Sequence, residues 1–197
     1  MACEAVRLDS LVDIMTGVPI SRAKKIAEGD TPTRTRVLNS GAMSAGRIDD
    51  ALLTTEEVSK VKRELFLKEN DVVVKASTPY DCAFVDKHHE GLLATSFGLI
   101  LRAKPDARID MRCLAVFLGL ERTNRELQSM SKGETIQLIK KRDLGDLLVP
   151  LQPQEEQARI ASIYESTQRR KELCRAISEK SDLLLQSEFS HAAFDCN

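Results

Sequence analysis

The residues with the most obvious chemistry in this chain are cationic. Arg22, Lys24 and Lys25 fall in the stretch SRAKK, and Arg34 and Arg36 in TRTR. Arginine can donate two hydrogen bonds to a guanine edge or a phosphate, and lysine can neutralise a phosphate as a point charge. An ordinary solvated loop has the same composition, so residue type alone leaves both readings open. Net charge does not separate them. With 29 Lys and Arg against 30 Asp and Glu the chain carries -1 at pH 7, without the basic excess usual for nucleic-acid binders. Contact with a polyanion would need the cations gathered on one face.

Other candidate chemistry is thinner. STPYD (77–81) resembles the [DNS]PP[YFW] motif with which amino-methyltransferases hold a target amine. Thr78 replaces the first proline, however, and no cofactor-binding glycine loop accompanies it. A turn after a strand is the expected reading. KHHE (87–90) could suggest a metal, but adjacent histidines in an extended segment point to opposite faces. A solvated turn and no metal site are expected there. No two of the nine glycines are one residue apart, and GK[ST], GxSxG and HExxH are all missing. That removes the GxG-type dinucleotide and S-adenosylmethionine loops, the P-loop, and the usual serine-hydrolase and zinc-protease signatures. No cofactor and no catalytic residue is expected. Cys3, Cys82, Cys113, Cys174 and Cys196 are scattered and odd in number. They predict reduced, mostly structural thiols rather than a disulfide framework or a zinc site.

The elements that position these residues follow from pattern. A length of 197 residues suits one domain, or one domain with an appendage. Aromatics make up only 4% and tryptophan is absent, so the core must be aliphatic. The N-terminus lacks signal-peptide chemistry and no apolar run reaches the roughly 20 residues of a membrane span. A cytoplasmic protein is expected. Leu8, Leu11, Val12 and Met15 have helical spacing, with Gly17 as a stop. Loop follows, then a short strand at 36–38 and a turn-rich stretch to about 54. Strands are predicted at 72–74, 81–86 and 92–103. Asp110 caps a helix with Leu114, Phe117 and Leu118 on one face. ERTNRELQSM is a short polar helix, SKGETIQLI a strand, and DLGDLLVPL a last strand ending at Pro150. The class is α+β with mixed strands.

The tail differs. After Pro153 the sequence contains no further Pro or Gly. Proline suits the first helical position, and Glu155 and Glu156 suit the positive end of the helix dipole. A helix of about 35 residues would be about 50 Å long. Ile160, Ile163, Thr167, Arg170, Cys174, Ile177, Ser181 and Leu184 form a three-four seam, apolar at both ends and polar in the middle. Long helices are stabilised mainly by packing, and this seam is too polar for a strong parallel zipper. An antiparallel coiled coil with a second copy is expected. The competing expectation is a helix that breaks and folds back on its own domain.

Several motifs together resemble the specificity (S) subunits of type I restriction-modification systems. SLVDIMTGVPISR is similar to the family's first helix and its G-x-x-[FI]-x-R turn. LKENDVVVKASTPYDCAFVD resembles its strand after an L-x-x-[GN]-D turn, and TSFGLILR its central strand. LGDLLVPLQPQEEQARIASI carries the most specific piece, hydrophobic-P-L-x-P-x-x-x-Q-x-x-I, which joins a recognition domain to a long helix. The resemblance covers nearly the whole chain. It implies a target recognition domain at 1–152, a spacer and dimerisation helix at 153–190 and a flexible tail at 191–197. It further implies a non-catalytic reader of double-stranded DNA, with a methyltransferase subunit and a restriction subunit as partners. Full-length members carry two recognition domains and two helices, so this chain is half-sized. From residue type and loop position, the expected DNA contacts are Arg22, Lys24, Lys25, Arg34, Arg36, Lys75, Tyr80, Arg122, Asn124, Arg125 and Lys132. The alternative from another class is a protein-interaction scaffold that uses the helix and binds no DNA.

Overall fold

The β-branched run Val72–Val74 is fully buried, and the body is arranged about the strand it forms. In chain order the elements are β1 (Glu4–Arg7), α1 (Leu8–Leu11), β2 (Val12–Thr16), α2 (Ile20–Ala23), β3 (Thr33–Leu38), β4 (Met43–Ser44), β5 (Arg47–Ile48), β6 (Thr54–Val58), β7 (Val72–Lys75), β8 (Cys82–Phe84), β9 (Leu93–Ala94), β10 (Gly98–Ala103), α3 (Met111–Leu118), α4 (Glu121–Met130), α5 (Lys141–Gly145), β11 (Leu148–Leu151) and α6 (Gln154–Phe194). The computed structural model describes residues 4–27, 29–44, 46–130 and 138–194. No helix among them is long and apolar enough to cross a membrane.

The central sheet has the order β2-β10-β7-β8 with antiparallel neighbours. Alternation along its strands fills two cores. Val72, Val74, Leu99 and Leu101 face α3 and α4 through Leu114, Leu118 and Leu127. Val73, Ala83 and Ile100 face Leu38, Met43, Ile48 and Leu67. A second sheet, β6-β3-β9, lies over the latter side, and β1 pairs with β11 to bring the start of the body to the edge of α6. The class is α+β with mixed strands and a long C-terminal helix, as the sequence predicts.

Local expectations fare unevenly. Asp110 caps α3 by accepting from the Arg112 N–H at 2.9 Å, and the Val72–Val74 strand is where β-branching puts it. The helix predicted over 8–17 lasts one turn. From Val12 the chain becomes β2, because pairing with β10 outweighs a short amphipathic pattern. Gly17 is therefore no helix stop. A Cβ on it would lie 2.1 Å from the Thr95 carbonyl oxygen, so two backbones cross there at a distance only glycine allows. The last strand is shorter than predicted, since Lys141–Gly145 is helical. β1 and the polar β6 carry no strand pattern of their own. Most of the strand expected in SKGETIQLI lies outside the described residues. Its end is paired, with Leu138 bridging Ser77 and the Ile139 N–H donating to the Ala76 carbonyl at 2.7 Å.

One ion pair joins two of the motifs. Asp71, which opens β7, is buried and receives Nε and Nη2 of Arg102 on its two oxygens at 2.9 and 2.6 Å. Arg102 also donates to the Glu64 and Phe66 carbonyls, at 2.9 and 3.0 Å. The bonds to Asp71 raise the guanidinium above its ordinary range, against the opposing effect of burial. Removing one member of such a pair strands the other in a low-dielectric site. Asp71→Ala is expected to lower stability by about 3–5 kcal/mol, read by urea denaturation. A loss within that of a surface substitution would contradict the pairing.

Candidate nucleic-acid interface

Sheet direction gathers the candidate loops. β2 and β7 both run antiparallel to β10, so the chain leaving β2, the chain leaving β7 and the chain entering β10 emerge at one end. Val18 bridges Thr95, and the Ala76 N–H donates to the Phe97 carbonyl at 2.8 Å. Residue 138, at the close of the segment after α4, reaches the same end through Ser77. α2 continues from β2 and is tied to the end of β6, where the Ser59 N–H donates to the Ala23 carbonyl at 2.9 Å and its Oγ to the Lys25 carbonyl at 3.2 Å. β3 begins beside it, with Arg34 opposite Glu57. Arg22, Lys24, Lys25, Arg34 and Lys60 thus share one rim of the body.

The expected contact residues divide on this framework. Arg22, Lys25 and Arg34 are exposed and pair with none of the described residues, so they are open to a phosphate or a base edge. Lys24 is exposed but bound to Glu56 at 2.7 Å. Arg36 is occupied: Nη1 meets Asp50 Oδ1 at 3.1 Å and Nη2 donates to the His88 carbonyl at 3.0 Å. Its role here is to hold two turns together. Lys75 is only 15% exposed and pairs with Asp81 at 3.0 Å, so it is a structural lysine. Tyr80 is fully buried in the larger core and cannot reach a ligand. Arg122 and Arg125 are exposed on α4, the short polar helix expected there, and Arg125 pairs with Glu121 one turn away. Asn124 is half-buried and its amide faces the Leu118 carbonyl at 3.4 Å. Lys132 lies outside the described residues. Sequence reasoning misses Lys60, and it misses Phe97, which is 56% exposed at the sheet end among the cationic loops. The alternation in TSFGLILR makes that ring look like core, and only its place before β10 shows otherwise.

The histidine segment is the turn expected of it, but a helical one with one ring buried. Lys87–His89 is a tight helical turn, not extended chain, so the two rings lie on the same side with centroids 5.0 Å apart. His89 is buried. Burial pushes the Cys82 thiol up to about 12 and the Cys113 thiol up to about 11, away from the thiolate range of nucleophilic cysteine. Cys174 is exposed on α6, while Cys3 and Cys196 lie outside the described residues.

The long helix is fixed at its base. α6 is unbroken over 41 residues, roughly 60 Å, and reaches past position 190 because nothing in the sequence stops it. Its body-facing stripe is Gln157, Ala161, Tyr164 and Gln168. Gln157 is buried. Its Oε1 accepts from the Asp110 N–H at 2.6 Å, and its Nε2 donates to the Arg108 and Gln152 carbonyls at 3.0 and 2.8 Å. Tyr164 meets Phe84 edge-on at 6.1 Å, Arg112 pairs with Glu165, and Arg175 reaches back to Asp49 at 2.9 Å. The three-four seam lies mostly on the opposite side. Ile160 is half-buried near Phe117 and Thr167 is half-buried, whereas Ile163, Arg170, Cys174, Ile177, Ser181 and Leu184 are exposed. The fold-back alternative does not occur.

No family model matches the sequence, and no curated protein does either. Solved structures do match. A crystal structure of the type I restriction-modification S subunit from M. genitalium superposes on 100% of the chain with a TM-score of 0.64 at 19% identity, over 50% of its own length. The HsdS subunit from Thermoanaerobacter tengcongensis superposes on 95% with a TM-score of 0.60 at 19% identity, over 48% of its length. A structure described by the assembly and conformational transition of the type I R-M system superposes on 97% with a TM-score of 0.62 at 18% identity, over 49%. The chain has the S-subunit fold. It spans about half the length of each of these structures, one body and one helix. Within the S-subunit fold, the proline-glutamine motif at the joint has a physical meaning here: Pro153 opens the helix and Gln157 locks it to the body. Gln157→Ala leaves buried polar groups unpaired and is expected to cost about 1–3 kcal/mol in urea denaturation. Exposed Arg159→Ala should change little.

Proposed function

We propose that the chain is the non-catalytic DNA-specificity subunit of a type I restriction-modification system, with one target recognition domain and one spacer helix. The observation that carries this reading is the S-subunit fold over 95–100% of the chain. The rim bearing Arg22, Lys25 and Arg34, with Lys24 and Lys60 beside it, supports a contact with double-stranded DNA at the loop end of the sheet. Arg122 and Phe97 are further candidates for base contact. The recognition domain is taken as 1–152 and the spacer as 153–190.

Two copies joined antiparallel through Ile160, Ile163, Ile177 and Leu184 would hold two recognition domains apart along a spacer of roughly 60 Å. That exceeds the 34–36 Å helical repeat of DNA and suits a bipartite target with an unread gap. A homodimer makes that target an inverted repeat. Methylation and cleavage belong on this reading to modification and restriction subunits that dock on the dimer in the cytoplasm.

Salt dependence separates this function from a scaffold. Binding to DNA should fall linearly in log K against log salt, with each phosphate-contacting cation contributing about 1 to the slope. Arg22→Glu with Arg34→Glu should flatten that slope, while the control Arg159→Glu leaves it unchanged. A wild-type protein that is folded and binds without salt dependence, or not at all with its methyltransferase present, contradicts the reading. For the helix, Ile177→Asp with Leu184→Asp should convert a dimer to a monomer in sedimentation velocity. Both side chains are 65% exposed in the single chain, so the fold itself should survive.

A further inference from the structure

We propose that Asp50, His88 and His89 form a binding site for a divalent transition-metal ion of the zinc class. The three residues come from two short helical turns. Asp50 opens the turn Asp50–Leu52, and both histidines lie on Lys87–His89. Each turn is capped by its own aspartate: Asp49 accepts from the Ala51 N–H at 3.1 Å, and Asp86 accepts from the His89 N–H at 3.1 Å. The ligand atoms are thus carried on pinned backbone. Asp50 Oδ2 lies 3.3 Å from His88 Nε2 and 3.5 Å from His89 Nε2, and the three ligand atoms all lie within 4.8 Å of one another. A tetrahedral ion with metal–ligand distances near 2.0–2.2 Å separates its ligand atoms by about 3.3 Å.

The hydrogen bonding around His89 points to a cation. Its Nδ1 lies 2.7 Å from Asp86 Oδ1. A carboxylate can only accept, so Nδ1 carries a ring hydrogen, and in the neutral ring Nε2 then presents its lone pair. That Nε2 is buried without a hydrogen-bond partner among the described residues, and the nearest carboxylate oxygen, on Asp50, is also an acceptor. A positive charge between them resolves the contact. The arrangement of carboxylate, histidine and ion is the usual outer shell of a metal-bound imidazole. Asp50 is oriented in the same way, with its other oxygen held by Arg36 Nη1 at 3.1 Å. Two imidazoles and a carboxylate suit zinc, nickel, cobalt or copper and not the all-oxygen preferences of calcium or magnesium. The site lines a cleft of about 720 Å³ between the body and α6. A fourth coordination position is therefore open to water. Bound metal would clip the turn after β5 to the turn after β8.

The site is independent of DNA reading, so failure of one leaves the other standing. The test uses the full chain, tag removed and stripped with a chelator. Titration with Zn2+ by calorimetry should give one ion per chain, and Co2+ should give the visible absorption of a four-coordinate site. His88→Ala, at a side chain 65% exposed, should fold normally and lose both signals. Asp86→Asn should weaken binding by about 10- to 100-fold, as loss of an outer-shell carboxylate does. Zn2+ should raise the melting temperature of the wild type and not of His88→Ala. Folded wild type that binds no Zn2+ and gives no Co2+ band overturns the proposal. Unchanged binding in His88→Ala overturns it equally, by placing the ion elsewhere.

Discussion

A helix of 41 residues cannot be held by a body of this size along its whole length, so its direction is set where it is fastened. Gln157 is that fastening. A carboxamide has one acceptor and two donors in a fixed plane, and here all three are used on backbone groups of two segments: the approach to α3, and the joint residue Gln152. Because Asp110 also caps α3, the same few atoms fix the helix that packs on the sheet and the helix that leaves it. Tyr164 against Phe84, and Arg175 against Asp49, extend the contact for five turns. Beyond them, up to Ser190, the side chains are exposed, Leu183, Leu184, Leu185 and Phe189 among them. That is an apolar end without cover in the single chain.

The central sheet meets the opposite requirement, which is to bring distant loops to one end. Antiparallel neighbours achieve this by alternating direction. The Asp71–Arg102 pair secures the far end of β7 and β10, while the near end carries α2, the cis Thr78–Pro79 turn and Phe97. A chain of net charge -1 can still offer a cationic rim this way. Some of its acidic residues, such as Asp71, Asp110 and Asp49, are taken up by internal partners, while Arg22, Lys25 and Arg34 face solvent.

What the sequence makes legible is what local physics decides. The cap at Asp110, the proline and glutamates that open α6, and the Val72–Val74 strand are all set by neighbours in the chain. What escapes is decided by pairing across it. The 8–16 segment has helical spacing, yet Val12–Thr16 joins β10 as a strand. TTEEV carries no strand pattern of its own and becomes β6 because β3 offers it a ladder. Of the expected contact residues, Arg22, Lys25 and Arg34 are exposed, Arg22 on a helical turn in what reads as loop. Tyr80, Lys75 and Arg36 are not available, because their polar or aromatic character is used to build the body. The relative placing of the two histidine rings escapes for a related reason. Residues in an extended chain diverge, but the Asp86 cap turns this segment into a helical turn and aligns both rings.

The central claim is that two copies of this half-length chain form one paired reading head. Selection from randomised duplex DNA at low salt, with the protein alone and with a methyltransferase subunit, tests it most directly. The account predicts enrichment of two short half-sites in inverted order at one fixed spacing. Enrichment of a single uninterrupted site, or of no sequence by folded protein in either condition, would contradict it.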